Sequence, residues 1–225
     1  MDSTSIVRVG GACALLGVAA GLVGSAVGAV HGLGGQEIPL GNSAELLSLT
    51  RNQGPYLVRE WFFLLYAIFA VGEGVGLYYL TRPAGSLALW ALVAYSVGIV
   101  IGIVQDAALV ALVQQFPSEY AGADETTRLA LGPLARTLSS LIGVQQSVAN
   151  ALLGIGIALY AVAILRTGVV SRWFGAFGFA SAAASVSFAI VTAFALASFR
   201  TGVEHAFGLV VVWDAWAGIV MLRSQ

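Results

Sequence analysis

The sequence predicts an all-α, polytopic integral membrane protein: a six-helix transmembrane bundle, one domain over residues 1–225, with a short interfacial helix after the first span. Composition is the first reason. Hydrophobic residues make up 59% of the chain and charged residues 9%, against roughly 25% charged in a soluble domain. The second is the spacing of the apolar runs, six of which have bilayer-spanning length and are separated by short polar turns. The third is glycine placement, with Gly17/Gly21 and Gly24/Gly28 forming small-xxx-small pairs that let helix backbones approach closely.

The first span covers about residues 6–31. Its apolar run, Val9 to Val30, is 22 residues long, too long for a signal-peptide core, and reads as a retained helix. Cys13 lies inside it with no second cysteine in the chain, which excludes an internal disulfide. Residues 42–53 form an amphipathic segment, opened by Asn42 and Glu45 in capping-box spacing, too short to span and expected at the interface.

The second span, about 56–80, begins with Arg59, Glu60 and Trp61 and carries Glu73 deeper among Gly72, Gly74 and Gly76. After a tight turn, the third span, about 86–113, places Gly98, Gly102 and Asp106 at four-residue steps along one helical face. Residues 116–127, with Pro117, Glu119, Asp124 and Glu125, read as an acidic loop, and Gly132-Pro133 reads as a break. The fourth span, about 134–165, exceeds the length a bilayer core needs and is expected to tilt. Arg136, Ser140, Gly143, Ser147, Asn150 and Gly154 mark one polar and small face of it, with Gln146 alongside. The fifth span, about 171–197, has no charge after its first turn, and the sixth, about 203–221, carries Asp214 between Trp213 and Trp216.

Six spans put both termini on one side. Arg8, Arg82, Arg166, Arg172 and Arg223 on that side balance Arg51, Arg59, Arg128, Arg136 and Arg200 on the other. The first group sits in very short turns, however, and most acidic residues fall in the second group's loops, which places both termini in the cytoplasm and the chain in the cell membrane. A net charge of −1, with ten arginines and no lysine, excludes the clustered basic surface that nucleic acid requires. The partners expected are the lipid bilayer, a small solute or lipid, and a second copy or another membrane subunit.

Leu159-Tyr160, Arg166-Thr167-Gly168, Arg172-Trp173 and Gly175, followed by a Gly/Ala-rich helix, resemble a bacterial membrane family, domain of unknown function 4386. Glu73, Leu77-Tyr78 and Arg82-Pro83 resemble the same family's acidic residue, LY pair and basic-Pro turn, so that the resemblance covers about residues 59–186. It implies a multi-helix membrane protein and brings no established activity.

Asp106 leads the candidate site, because an ionisable group inside a span is costly, at about 2.5–3.5 kcal/mol at a helix centre, and is seldom left facing lipid. Antiparallel helices set Asp106, Gln105, Gln146 and Asn150 in the same outer half of the membrane, with Arg59 and Arg136 nearer the rim. An outward-facing polar cavity follows, alongside the plainer readings of Asp106 as interhelical glue and of the arginines as boundary anchors. Glu73 and Asp214 read as isolated core carboxylates, the less favoured alternative being a relay from Glu73 through Asp214 to Asp106.

His31 and His205 fall near the outer ends of their spans, where a haem or metal site is conceivable, but no ligand cluster of defined spacing is present and no cofactor is predicted. No GxSxG elbow or phosphate loop occurs. The chain therefore reads as a small membrane protein, non-enzymatic in preference to enzymatic. The alternatives are a proton-linked or small-solute binding and transport protein, an intramembrane lipid-active enzyme, a haem- or metal-binding subunit, and an accessory subunit.

Overall fold

The computed structural model describes residues 2–33, 49, 51–194 and 197–224, with 197–204 described by backbone alone. The elements are α1 (Ser3–Val30), α2 (Gln53–Thr81), a 3-10 turn (Arg82–Ala84), α3 (Ser86–Gly122), α4 (Glu125–Thr167), α5 (Arg172–Ala193) and α6 (Ala197–Arg223). Among the described residues, six helices are long and apolar enough to cross a membrane, and no strand occurs. Most of the amphipathic segment 42–53 lies outside the described residues; within it, Leu49 is helical and completely buried.

Each helix packs on the next in sequence, and α6 returns to pack on α1, which closes a ring. Close approach between neighbours depends on glycine. A β-carbon on Gly156 of α4 would lie 2.6 Å from the backbone nitrogen of Tyr95 on α3. The main core between the helices includes Leu77, Tyr95, Ile157, Tyr160, Phe174 and Trp213, with the rings of Phe174 and Trp213 stacked at 5.4 Å. Outward faces stay apolar. Trp90, Trp173 and Phe194 are each more than 60% exposed, an arrangement that water would penalise and lipid accommodates.

Two expectations are corrected at the far end of the bundle. Residues 116–127 are not a loop, because α3 continues to Gly122 and α4 starts at Glu125. The reason is a buried apolar face: Phe116 and Tyr120, four residues apart, pack with Leu109, Val113 and Ala135 in a second core, while Glu119 and Glu125 remain exposed. Arg128 donates to the carbonyls of Tyr120 and Ala121 at 3.2 and 3.0 Å, closing the α3 terminus. Asp124 caps α4, its Oδ1 accepting from the Thr127 N–H at 2.8 Å.

Gly132-Pro133 does not break α4, which runs unbroken for 43 residues. Pro133 lies on an exposed face between Leu129 and Leu134, and its carbonyl accepts from the Thr137 hydroxyl at 3.0 Å. At about 1.5 Å per residue, the 37 residues of α3 and the 43 of α4 both exceed a hydrocarbon layer of about 30 Å. Their shared hairpin therefore projects beyond the apolar layer at the end opposite the termini.

Candidate functional site

A cavity of about 280 Å³ lies between α1, α2, α3, α4 and α6. Its polar lining comes from Glu60 and Tyr66 on α2, Gln105 and Asp106 on α3, and Gln146 and Asn150 on α4. Phe63, Ile99, Leu109, Leu153 and Phe207 make much of the remaining wall apolar. Leu22 and Ser25 of α1, both exposed, belong to the lining, so the cavity is not sealed.

The glycine face of α3 explains how space arises beside Asp106. At Gly98 a β-carbon would come within 2.8 Å of the Ala149 carbonyl and the Leu153 nitrogen, which locks α3 onto α4. One turn further on, at Gly102, a β-carbon would meet nothing within 4 Å. The helices are held together at Gly98 and gape from Gly102 to Asp106.

Among the described residues, no hydrogen bond or ion pair reaches the Asp106 carboxylate. The Asn150 amide donates instead to the Gln146 carbonyl at 2.9 Å, and the Asn150 carbonyl accepts from Ser185 on α5 at 2.8 Å. Glu60 is differently placed. Its Oε1 accepts from Arg59 Nε at 2.8 Å and lies 2.7 Å from Nη2, in an ion pair whose side chains are each 2% exposed. Arg59 also stands over the Tyr56 ring at 4.9 Å.

Arg59 is thus a buried partner of Glu60 and is not part of the cavity wall. Its side-chain carbon packs beside Gly28 of α1, where glycine leaves room for it. Arg136 is exposed on α4 and does not contribute to the cavity wall. His31 and His205 are both exposed, and no group of three or more His, Cys, Asp or Glu side chains suited to a metal occurs among the described residues.

Glu73 and Asp214 occupy a separate place, deeper toward the termini. Each is 1% exposed, and their carboxyl groups face one another between α2 and α6. They are a contacting pair, not the isolated core carboxylates that the sequence suggests. The Tyr95 hydroxyl faces Glu73, and the Tyr66 hydroxyl donates to Asp214 Oδ2 at 2.6 Å. The Tyr160 hydroxyl donates to the Gly74 carbonyl at 2.7 Å, fixing the backbone beside Glu73. Neither Tyr66 nor Glu60 stands out as a site residue in the sequence. Tyr66 has a weak signal, seven residues before Glu73 and hence on the same helical face.

A family model described as Domain of unknown function (DUF4386) matches residues 9–223. The chain belongs to this family. No curated protein matches it, and no solved structure does. The DUF4386 match extends beyond the portion from Arg59 to Val186 where the resemblance is legible by eye, taking in α1 and α6, which supply Asp214 and part of the cavity wall.

Proposed function

We propose that this DUF4386 chain is a membrane-embedded binding and transport protein for a small solute carrying one cationic, hydrogen-bond-donating group. The observation that carries the reading is the Asp106 carboxylate, which lines a cavity inside the bundle with no protein cation against it among the described residues. Arg59 already neutralises Glu60, leaving one negative charge for an occupant to balance. Charged groups at such depth are expensive unless paired, so a cation or a proton is the complement that the site favours. Phe63, Tyr66 and Phe207 supply apolar and π surfaces for the rest of the solute. The side-chain amides of Gln105, Gln146 and Asn150 add polar groups to orient it. The volume lies near the lower end of the roughly 300–1,000 Å³ typical of small-molecule sites, which excludes bulky ligands.

Phenethylamine is a suitable probe, having an ammonium group, an aromatic ring and a neutral counterpart in 2-phenylethanol. With the purified protein in lipid nanodiscs, calorimetry should show phenethylamine binding that is stronger than that of 2-phenylethanol. Asp106→Asn should weaken it by roughly thirtyfold or more, as for loss of one partner in a buried charge pair. Equal binding of the amine by wild type and Asp106→Asn would overturn the reading.

A further inference from the structure

We infer that Glu73 and Asp214 share one exchangeable proton, and that Tyr66 is the contact through which this proton passes to and from the cavity. The inference deepens the solute-site reading, on which it rests only for the cavity's role: a proton stored beside a cation site provides a counter-ion for exchange.

Two buried carboxyl groups that face one another cannot both be ionised without strong repulsion, so a pair of this kind holds a proton between its members. Glu73 Oε1 and Asp214 Oδ1 are the buried oxygens of the pair that have no donor among the described residues. A proton held within the pair would supply a donor that the surrounding protein does not. Their other interactions are to hydroxyls, with Tyr95 on Glu73 and Tyr66 on Asp214 Oδ2.

The groups facing the pair from the surrounding helices are Cys13 of α1, Tyr66 of α2, Tyr95 of α3 and Tyr160 of α4, while Trp213 of α6 turns to Phe174 and Gly178 of α5. From α5, Ser181 reaches only the carbonyls of Phe177 and Leu209. None of these is a cation, and no ion pair reaches Glu73 or Asp214 among the described residues. Without an arginine or histidine to compensate it, the second negative charge has no stabiliser, whereas the first is held by the tyrosine hydroxyls.

The route outward is equally specific. Among the described residues, Tyr66 joins the two regions, since it bonds to Asp214 and also belongs to the cavity lining that contains Asp106 and Glu60. Its hydroxyl can accept a proton from the cavity side as it gives its own to Asp214 Oδ2, and the reverse transfer restores the starting state. No oxidant or further reactant is involved.

Infrared difference spectroscopy on nanodisc-embedded protein, with transfer from H₂O to D₂O, tests both halves. At neutral pH, in an Asp106→Asn background that removes any acid band of the cavity carboxyl itself, the protein should show a protonated-carboxyl C=O band that disappears when Glu73→Gln or Asp214→Asn is added. Tyr66→Phe, which removes one oxygen, should retain the band and slow its deuterium shift by about a hundredfold, the scale of a positioned proton-transfer group. A band unchanged by both carboxyl substitutions would overturn the shared proton, and a Tyr66→Phe exchange rate equal to wild type would overturn the route. A wild-type spectrum lacking any carboxylic acid band would overturn it whether or not the variants fold. Phenethylamine binding is measured separately; if Asp106→Asn binds as wild type does while the infrared results hold, the solute site fails and the proton site stands.

Discussion

The Gln53 side-chain amide donates to the Val113 carbonyl at 3.0 Å, joining the first residue of α2 to a point sixty residues later on α3. Val113 lies four residues before Pro117, so its carbonyl is the one left without a helical N–H donor. Gln53 supplies that donor and also bonds the Gln114 carbonyl at 3.0 Å. The proline is tolerated inside α3 because a distant side chain completes the ladder.

Gln53→Ala should consequently lower the stability of the α3–α4 hairpin by about 1–3 kcal/mol, the cost of an unsatisfied buried acceptor. In a Pro117→Ala background, where the substituted position regains an N–H that can reach the Val113 carbonyl, the loss should shrink. Thermal unfolding of all four proteins in one detergent measures the coupling, and additive losses would show that the two features are independent.

Glycine substitutions should separate packing from function. Gly156→Ala places a β-carbon 2.6 Å from the Tyr95 nitrogen and should destabilise the bundle by about 1–3 kcal/mol. Gly102→Leu extends into the open space beside Asp106, so it should leave the melting temperature nearly unchanged while abolishing phenethylamine binding. A Gly102→Leu protein that melts normally and binds normally would place the ligand elsewhere.

The buried Arg59–Glu60 pair makes a prediction of opposite sign for single and double changes. Arg59→Met leaves the Glu60 carboxylate uncompensated and should cost about 3–5 kcal/mol, whereas combining it with Glu60→Gln should recover much of the loss. Chemical denaturation in mixed micelles, comparing both singles with the double, tests this through the coupling energy.

Cysteine accessibility should map the cavity in the membrane-embedded protein. In a Cys13→Ala background, a small polar thiol reagent should modify Gln146→Cys and Asn150→Cys, and phenethylamine should protect both. A cysteine replacing the core residue Ile157, which is fully buried, should remain unmodified. Equal protection at all three positions without ligand would contradict a solvent-accessible cavity.

At the projecting hairpin, acid should loosen the start of α4. The Thr127 hydrogen bonds to its carboxyl hold Asp124 below its ordinary value of 3.8. The group is thus more easily ionised in the folded state, so its stabilisation is complete above that value and is lost as pH falls through the lowered one. Hydrogen exchange at the Thr127 amide should accelerate, relative to the core, over that acidic interval in wild type. Asp124→Ala should show the faster exchange at every pH.

Many of the site's ingredients can be read from helical periodicity. Steps of four place Gly98, Gly102 and Asp106 on one face, and the reading of antiparallel helices that grouped Gln146 and Asn150 with them names residues that line the same cavity. Periodicity on one helix says nothing of rotation relative to another, which is why a link between Glu73 and Asp214 is only the less favoured reading in the sequence and Arg59 reads as a rim residue. Tyr66 is equally hidden, because a tyrosine in an apolar run is indistinguishable from core until its hydroxyl has a partner. The acidic stretch 116–127 misleads for a different reason: proline and charge are local signals for a loop, and here Phe116 and Tyr120 have a distant apolar surface to cover.

By itself, the sequence determined that the chain lives in a membrane as six helices, because bilayer thickness and the need to satisfy every backbone group act on each span separately. It also determined that a few carboxylates must lie inside that layer. Only the tertiary structure decided which of them meet: it set Glu60 against Arg59, Glu73 against Asp214, and Asp106 against open space. Those outcomes depend on how closely neighbouring helices approach and how they rotate, which glycines such as Gly98 and Gly156 settle through contacts between residues far apart in the chain.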